Sequence, residues 1–415
     1  MKIVTRLLVC LLLLGGSAMA SAADPPTGSL PRVRAITAFV KLDRATYRRQ
    51  IDETLAVLRR AKEEFGKRGY EVETLRIVTQ PLADLTKGQT EDEALAFLKE
   101  FDALSVKEDF LPDVGPAMLK DGDSPDAMHL LTRLLSGRVN INASAIIAAD
   151  DGIHWRVIRE SAKLVHEVTA KSPRSQGNFN FTATAMLAPY GPFYPGAWHD
   201  GAGRQFSIGF EGANVVQEVF AITHGDFNAS VAELTRRLQI HTDVGEEVGQ
   251  TVAKATGWDF KGVDPTPAPL GDVSIGDAIE RFNGGKFGGS GTMTASLAIT
   301  TAVKAVKGKI VGYAGLMVPV MEDKRLAQRW AENSYDIDAL LAYSAVCGTG
   351  LDTVPLPGDI SEDRMAQIFG DVASLAWKWH KPLSARLQPI KDKKPGDRSD
   401  FDDPYLFNTT IHSLP

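Results

Sequence analysis

The groups best able to do chemistry stand in segments stiffened by glycine and proline. The first segment is AVCGTGLDTVPLPGD, residues 345–359. Cys347 is the one cysteine beyond position 10. Gly348, Thr349 and Gly350 follow it, and Asp352 and Thr353 add polar groups. Glycine lets a backbone approach a substrate closely. A thiol becomes a nucleophile beside a base or a cation, and His199 is the candidate partner. His199 stands near the end of APYGPFYPGAWHDG, residues 188–201. A loop so rich in proline and aromatic rings can fix an imidazole for acid–base work. The plainer readings are a buried packing cysteine and a structural histidine. Asp359 is expected to cap a helix that begins near Ser361.

Three further places carry candidate groups. Glu211, in GFEGAN, lies at a strand–helix junction, where sites of α/β folds collect; helix capping is the alternative. Asp264 stands in VDPTPAP, residues 263–269, whose alternating prolines fix an extended backbone that can present one carboxylate. A stiff connector explains it equally well. Gly288, Gly289, Ser290, Gly291 and Thr292, in FGGSGT, precede a helix and resemble a cradle for phosphate or carboxylate. The segment is neither a P-loop nor a dinucleotide fingerprint, and a helix-start turn capped by Ser290 or Thr292 is the alternative. No metal-binding motif is present, although a carboxylate-only site from Glu211, Asp264 or Asp352 stays open. No cofactor is indicated.

The elements that must position these groups alternate between strand and helix. Val33–Val40 reads as a strand, Arg44–Gly66 as an amphipathic helix and Val72–Thr79 as a second strand. Further strands are expected at 139–148, 178–188, 206–210, 309–320 and 383–389, with helices between them. Residues 226–257 read as an added helical region, broken near Gly245. This pattern predicts an α/β fold in one large domain over residues 24–415.

Composition agrees, with 44% hydrophobic and 24% charged residues in a chain long enough for a large core. A net charge of −6 with scattered Lys and Arg leaves no footprint for nucleic acid. Residues 1–23 combine a basic start, the short apolar run LLVCLLLL and a tail of small residues. This predicts a signal peptide cut after Ala20 or Ala23, and a periplasmic or secreted chain free of the membrane. Cys347 would then have no intramolecular disulfide partner.

Several segments in one order give the chain a resemblance. These are the proline-aromatic loop ending at His199, FGGSGT at 287–292, GYAGLMVPV at 312–320, AVCGTGLDTVPLPGD at 345–359, KPLSARLQP at 381–389 and FDDPYLFNT at 401–409. With them the chain resembles the domain-of-unknown-function 711 family over nearly its whole mature length. The resemblance implies a ten-stranded α/β barrel of the pyruvate formate-lyase-like type, with Cys347 on an inward loop near the site. Lys309–Gly315, KIVGYAG, is similar to a glycyl-radical segment. However, it carries Lys and Val where that segment has Arg and a small residue, and it precedes the cysteine, so no glycyl radical is expected.

The resulting expectation is an enzyme acting on a small polar or anionic metabolite, with the reaction unassigned. The glycines at 288–291 and 348–350 would hold the anionic end, and His199 would be the acid–base group. Cys347 would be nucleophile or proton donor, oriented by Asp352, Glu211 or Asp264. The alternative is a non-catalytic periplasmic small-ligand-binding protein. A third reading is a homo-oligomer with residues 190–198 as its interface.

Overall fold

A computed structural model of the chain describes residues 28–346 and 348–414. The expected leader at 1–23 and Cys347 therefore lie outside the described residues. Strand β1 (Arg32–Phe39) leads through helix α1 (Tyr47–Gly66) into β2 (Val72–Val78). Helices α2 (Leu82–Leu85) and α3 (Glu91–Glu108) precede β3 (Leu111–Pro116). After α4 (Asp126–Leu135) come β4 (Asn142–Ala149), the short β5 (Gly152–Ile153), α5 (Trp155–Lys171) and, past a 3-10 stretch, β6 (Phe181–Ala185). A long loop reaches β7 (Gln205–Glu211), followed by α6 (Ala213–Thr223), α7 (Phe227–Thr256) and β8 (Asp259–Asp264). Helices α8 (Ile275–Asn283), α9 (Thr292–Ala305), α10 (Lys324–Ala331) and α11 (Ile337–Val346) precede β9 (Gly350–Pro357), α12 (Glu362–Trp379) and β10 (Leu383–Ile390).

The strands form one ten-stranded sheet in the order β8-β7-β1-β2-β3-β4-β6-β10-β9, with β5 paired to β4. β1, β2, β3, β4 and β6 run parallel. β7 joins β1, and β10 joins β6, antiparallel. β8 and β9 run parallel to their neighbours and are the two edges, so the sheet is open and not the closed barrel that was expected.

The expected strand at 309–320 is instead an irregular segment, bonded to β8 at its start and to β9 at its end. The Val263 amide donates to the Lys309 carbonyl (2.8 Å), the Val311 amide to the Val263 carbonyl (3.1 Å), and the Val320 amide to the Asp352 carbonyl (3.0 Å). The cause is Asp264, whose carboxylate accepts from the amides of Tyr313 (2.8 Å) and Ala314 (3.2 Å) and draws them out of a ladder. Gly312, at φ +75°, makes the turn that this requires; a Cβ there would meet Asp264 Oδ2 at 2.1 Å.

One face of the sheet is apolar and lies under the helices. On β2, Leu75 and Ile77 belong to that core, while Thr74, Arg76 and Val78 alternate to the other face. Each buried aliphatic side chain contributes about 1.5–3 kcal/mol. The other face mixes polar groups such as Thr37 and Arg76 with an apolar patch in which Phe39 and Val78 pack on Ala197, and it is filled by the loop at 187–199. Thr37 Oγ1 donates to the Pro192 carbonyl (2.8 Å), Trp198 Nε1 to the Leu187 carbonyl (2.9 Å), and Tyr194 Oη to the Leu111 carbonyl (3.2 Å). This proline-aromatic loop is an internal plug and does not form the exposed interface once expected of residues 190–198.

Four other expectations change. α7 runs unbroken for 30 residues, and Gly245 serves close packing, since a Cβ there would meet Val263 at 3.1 Å and Phe210 at 3.2 Å. The helix is no annex, for it packs on α1, α6, α9 and β8. Residues 350–357 form an edge strand, where prolines are tolerated, and not a loop. Ser361, and not Asp359, caps α12, its side chain accepting from the Arg364 amide (3.2 Å).

Candidate functional site

Three strands each bring an arginine to one cleft on the face that the loop covers: Arg34 on β1, Arg76 on β2 and Arg386 on β10. On β10 the alternation turns Ser384 and Arg386 inward and Leu383, Ala385 and Leu387 toward the helices. The three guanidiniums line a cleft of about 400 Å³, walled also by Glu73, Phe179, Asn180, Tyr194 and Glu322. An inner chamber of about 50 Å³ adjoins it and shares Arg34, Arg76, Tyr194, Glu322 and Arg386 with it.

Charges alternate across this floor. Arg386 Nε donates to Asp352 Oδ1 at 2.7 Å, its Nη2 donates to Glu322, and its guanidinium lies 4.7 Å from the Phe179 ring centre. Arg34 Nη1 lies 2.9 Å from Glu73 and 3.6 Å from Glu211, and its Nη2 lies 3.7 Å from Glu322. Burial works against the charge of both arginines, yet Asp352 and Glu322 hold Arg386, and Glu73, Glu322 and Glu211 hold Arg34, above the ordinary value. Burial raises the Glu322 carboxyl, with Arg386 opposing. Burial first, and then the neighbouring Glu73, push Glu211 up to about 7.

Arg76 is the exception. Its Nε donates to Thr74 Oγ1 (2.9 Å), its Nη1 makes a long contact to the Pro192 carbonyl (3.5 Å), and its guanidinium stacks 4.7 Å from the Tyr194 ring centre. No carboxylate among the described residues lies within ion-pair distance of it. Burial, reinforced by Arg34, lowers it to about 10. A buried cation of this kind, open on a cleft, is matched by an incoming carboxylate or phosphate, which the planar fork can hold in two charge-assisted bonds.

The residues expected from sequence divide between this site and other parts of the fold. Asp352 and Thr349 line the inner chamber, and Glu211 stands behind Arg34. His199 does not open on the cleft. It is 1% exposed, its Nε2 donates to the Val40 carbonyl (3.0 Å), and burial lowers it from its ordinary value, so it ties the plug to the end of β1. Asp264 is fully buried and is raised to about 6 by burial against four hydrogen bonds that include Thr266 Oγ1 and its amide. Its role is to pin the 309–321 segment.

The glycine cradle lies elsewhere and is satisfied within itself. Thr292 Oγ1 accepts from the Gly288 amide (3.1 Å), and the Gly289 amide donates to the Lys286 carbonyl (3.0 Å). Gly291 occupies the cap position of α9, where neither Ser290 nor Thr292 caps. A Cβ at Gly288 would meet the Ser334 carbonyl oxygen at 2.1 Å, so this glycine serves a chain crossing. Gly350 does the same against Ser384, and Gly348 packs near Ser344. Thr353 Oγ1 accepts from the Met321 amide (3.1 Å). No group of three or more candidate metal ligands occurs among the described residues.

The groups absent from the sequence reading are Arg34, Arg76, Arg386, Glu73, Glu322 and Tyr194. Each arginine stands inside a segment readable as a strand: VRAITAFV, VETLRIVT and LSARLQP. A charge inside an otherwise apolar strand is the one local signal at these positions.

A family model described as Uncharacterised ACR (DUF711) matches residues 29–402. A UPF0210 protein from Pyrobaculum arsenaticum is 34% identical over 60% of this chain and 57% of its own length. One from Pyrobaculum islandicum is 30% identical over 89% of this chain and 87% of its own. One from Desulforudis audaxviator is 29% identical over 80% and 77%. The chain thus spans less than two thirds of the P. arsenaticum relative in the matched stretch, and most of the P. islandicum one.

Proposed function

The chain belongs to the uncharacterised DUF711 family, and we propose that it binds a small anionic metabolite in the arginine-lined cleft and acts on it as an enzyme. The observation that carries the reading is Arg76, a guanidinium 5% exposed, open on the cleft and without a carboxylate at pair distance among the described residues. Glu211, raised to about 7, does not itself line the cleft, but it is hydrogen-bonded to Glu73, which does, so a proton held there close to pH 7 would reach the ligand only by way of Glu73. The reaction itself is unassigned. The open sheet and its spanning segment would act as the barrel-like enclosure that the resemblance implies, with the ligand inside. The sequence of residues 1–23 adds the expectation that the ligand is met outside the cytoplasm, which mass analysis of the mature N-terminus tests.

A second reading, capture without turnover, is favoured by the ion-paired floor, where Glu322 and Asp352 are both engaged by Arg386. Thermal unfolding with malonate, phosphate and the neutral malonamide tests the binding step. The two anions are expected to raise the midpoint and malonamide to leave it unchanged; if neither anion acts, the anion site is refuted. Ligand mixtures followed by NMR then separate the readings, since consumption of a ligand means an enzyme and an unchanged mixture means capture.

A further inference from the structure

Two carboxyl groups meet at one side of the cleft. Glu73, near the start of β2, lines it, and Glu211, at the end of β7, stands behind and is hydrogen-bonded to Glu73. Two guanidiniums from β1 bracket the pair. Arg34 Nη1 lies 2.9 Å from Glu73 and 3.6 Å from Glu211, and Arg32 Nη1 lies 3.5 Å from Glu73 and 3.9 Å from Glu211. Both are also drawn elsewhere, Arg32 to Glu71 (3.3 Å) and Arg34 to Glu322 (3.7 Å). Two cations thus serve four acids. Glu322 has Arg386 as well, whereas no further cation of β8, α6 or any other element lies within ion-pair distance of Glu211 among the described residues. A crowd of carboxylates short of cations is relieved when one of them takes a proton. Burial and Glu73 already bring Glu211 up to about 7, so the pair exchanges its proton near neutrality.

The anion site lies in the field of this pair. The charge of Glu73 raises Arg76 and that of Arg34 lowers it, and all three side chains line the same cleft. An anion seated on Arg76 brings another negative charge toward the two acids. It also competes for Arg34, one of the two cations that hold them. Both effects favour the protonated form of a carboxyl. The proton comes from solvent and reaches Glu211 by way of Glu73, the member that opens on the cleft. No bond of the ligand changes.

Resting on the anion site described above, we infer that binding of an anion there is coupled to uptake of a proton by the Glu73–Glu211 pair. The bound state then holds an acid beside the ligand, and affinity falls as pH rises above neutrality. Calorimetric titration with malonate in Tris and in triethanolamine, which absorb different heats on giving up a proton, reads the uptake directly. For an anion that lifts the midpoint of the pair by about one pH unit, about half a proton per anion is expected at about pH 7.5, with affinity about fivefold weaker at about pH 8.5 than at about pH 6.5. Glu211→Gln keeps the shape and cannot take the proton. It is expected to abolish the uptake and to hold the acid-side affinity across the whole range. Equal heats in the two buffers, uptake that persists in the variant, or a variant that binds more weakly at every pH overturns the coupling and leaves the anion site standing. Failure of malonate to bind at any of these pH values overturns the anion site and the coupling with it.

Discussion

Replacing Arg76 by methionine separates binding from stability. A guanidinium held at about 10 against an ordinary 12.5 is disfavoured in its charged form by about 3 kcal/mol. The sign follows from the group being a base with a lowered value. The folded state bears the full cost at every pH below about 10, so the cost is present at neutrality. Against it stand the stack on Tyr194, contributing about 1 kcal/mol, and the hydrogen bond to Thr74, contributing about 1 kcal/mol; the contact to the Pro192 carbonyl, at 3.5 Å, is too long to add much. Methionine of similar length removes all three, which leaves the variant about 1 kcal/mol more stable. At about 2.1 cal/mol/K of unfolding entropy per residue, that moves the midpoint of a chain this long up by about 1 °C. An anion at about a hundred times its Kd adds about 2.7 kcal/mol to the unaltered protein, or about 3 °C, and nothing to the variant. Scanning calorimetry with and without malonate reads both numbers. The reasoning is refuted if the variant still responds to malonate. It is also refuted if the variant alone melts more than about 3 °C lower, which would make Arg76 a structural group.

Other perturbations test the neighbouring groups. Glu211 is an acid raised from 4.5 to about 7 by burial and Glu73, so the folded state holds its proton longer than the unfolded chain does. Stability contributed by this group falls as pH rises from about 4.5 to 7, and Glu211→Gln should flatten that fall in urea titrations taken across the window. Asp264→Ala leaves the buried amides of Tyr313 and Ala314 without their acceptor. A loss of at least about 2 kcal/mol is expected, with hydrogen exchange quickening first in residues 309–321; unchanged protection there would show that Asp264 does not pin the segment. Gly209→Ala places a Cβ 2.9 Å from both Phe193 and Pro192. Overpacking of about 1–3 kcal/mol is expected, with a weaker response to malonate as the plug shifts beside Arg76.

Much of the scaffold could be read from periodicity, and the site could not. β1, α1 and β2 follow the expected bounds closely, because the apolar spacing of Ile51, Leu55 and Leu58 and the alternation in VETLRIVT are local signals. β3 and β9 went unread because Pro112, Gly115, Pro355 and Pro357 look like loop residues, and only their neighbours in the sheet make them strands. The irregular path of 309–321 depends on a carboxylate 49 residues away in the chain, which no local pattern carries. For the site, stiff loops suggested chemistry, but stiffness serves packing equally well. His199 and the 288–292 glycines spend it on the plug and on a chain crossing. The arginines passed as ordinary strand charges, since only the fold shows that both faces of their strands are covered.

The segment at 309–321 also bears on how the molecule keeps to itself. An open sheet ends in two strands whose backbone amides and carbonyls can recruit a strand from another molecule, the usual route to edge-to-edge aggregation. Here one stretch of chain occupies part of both borders, through Lys309 and Val311 beside β8 and Val320 beside β9. Because its path is irregular, it takes up those bonds without offering a regular edge of its own. The same segment that lines the inner chamber through Tyr313, Met317 and Pro319 thus leaves fewer free backbone groups at both edges of the sheet.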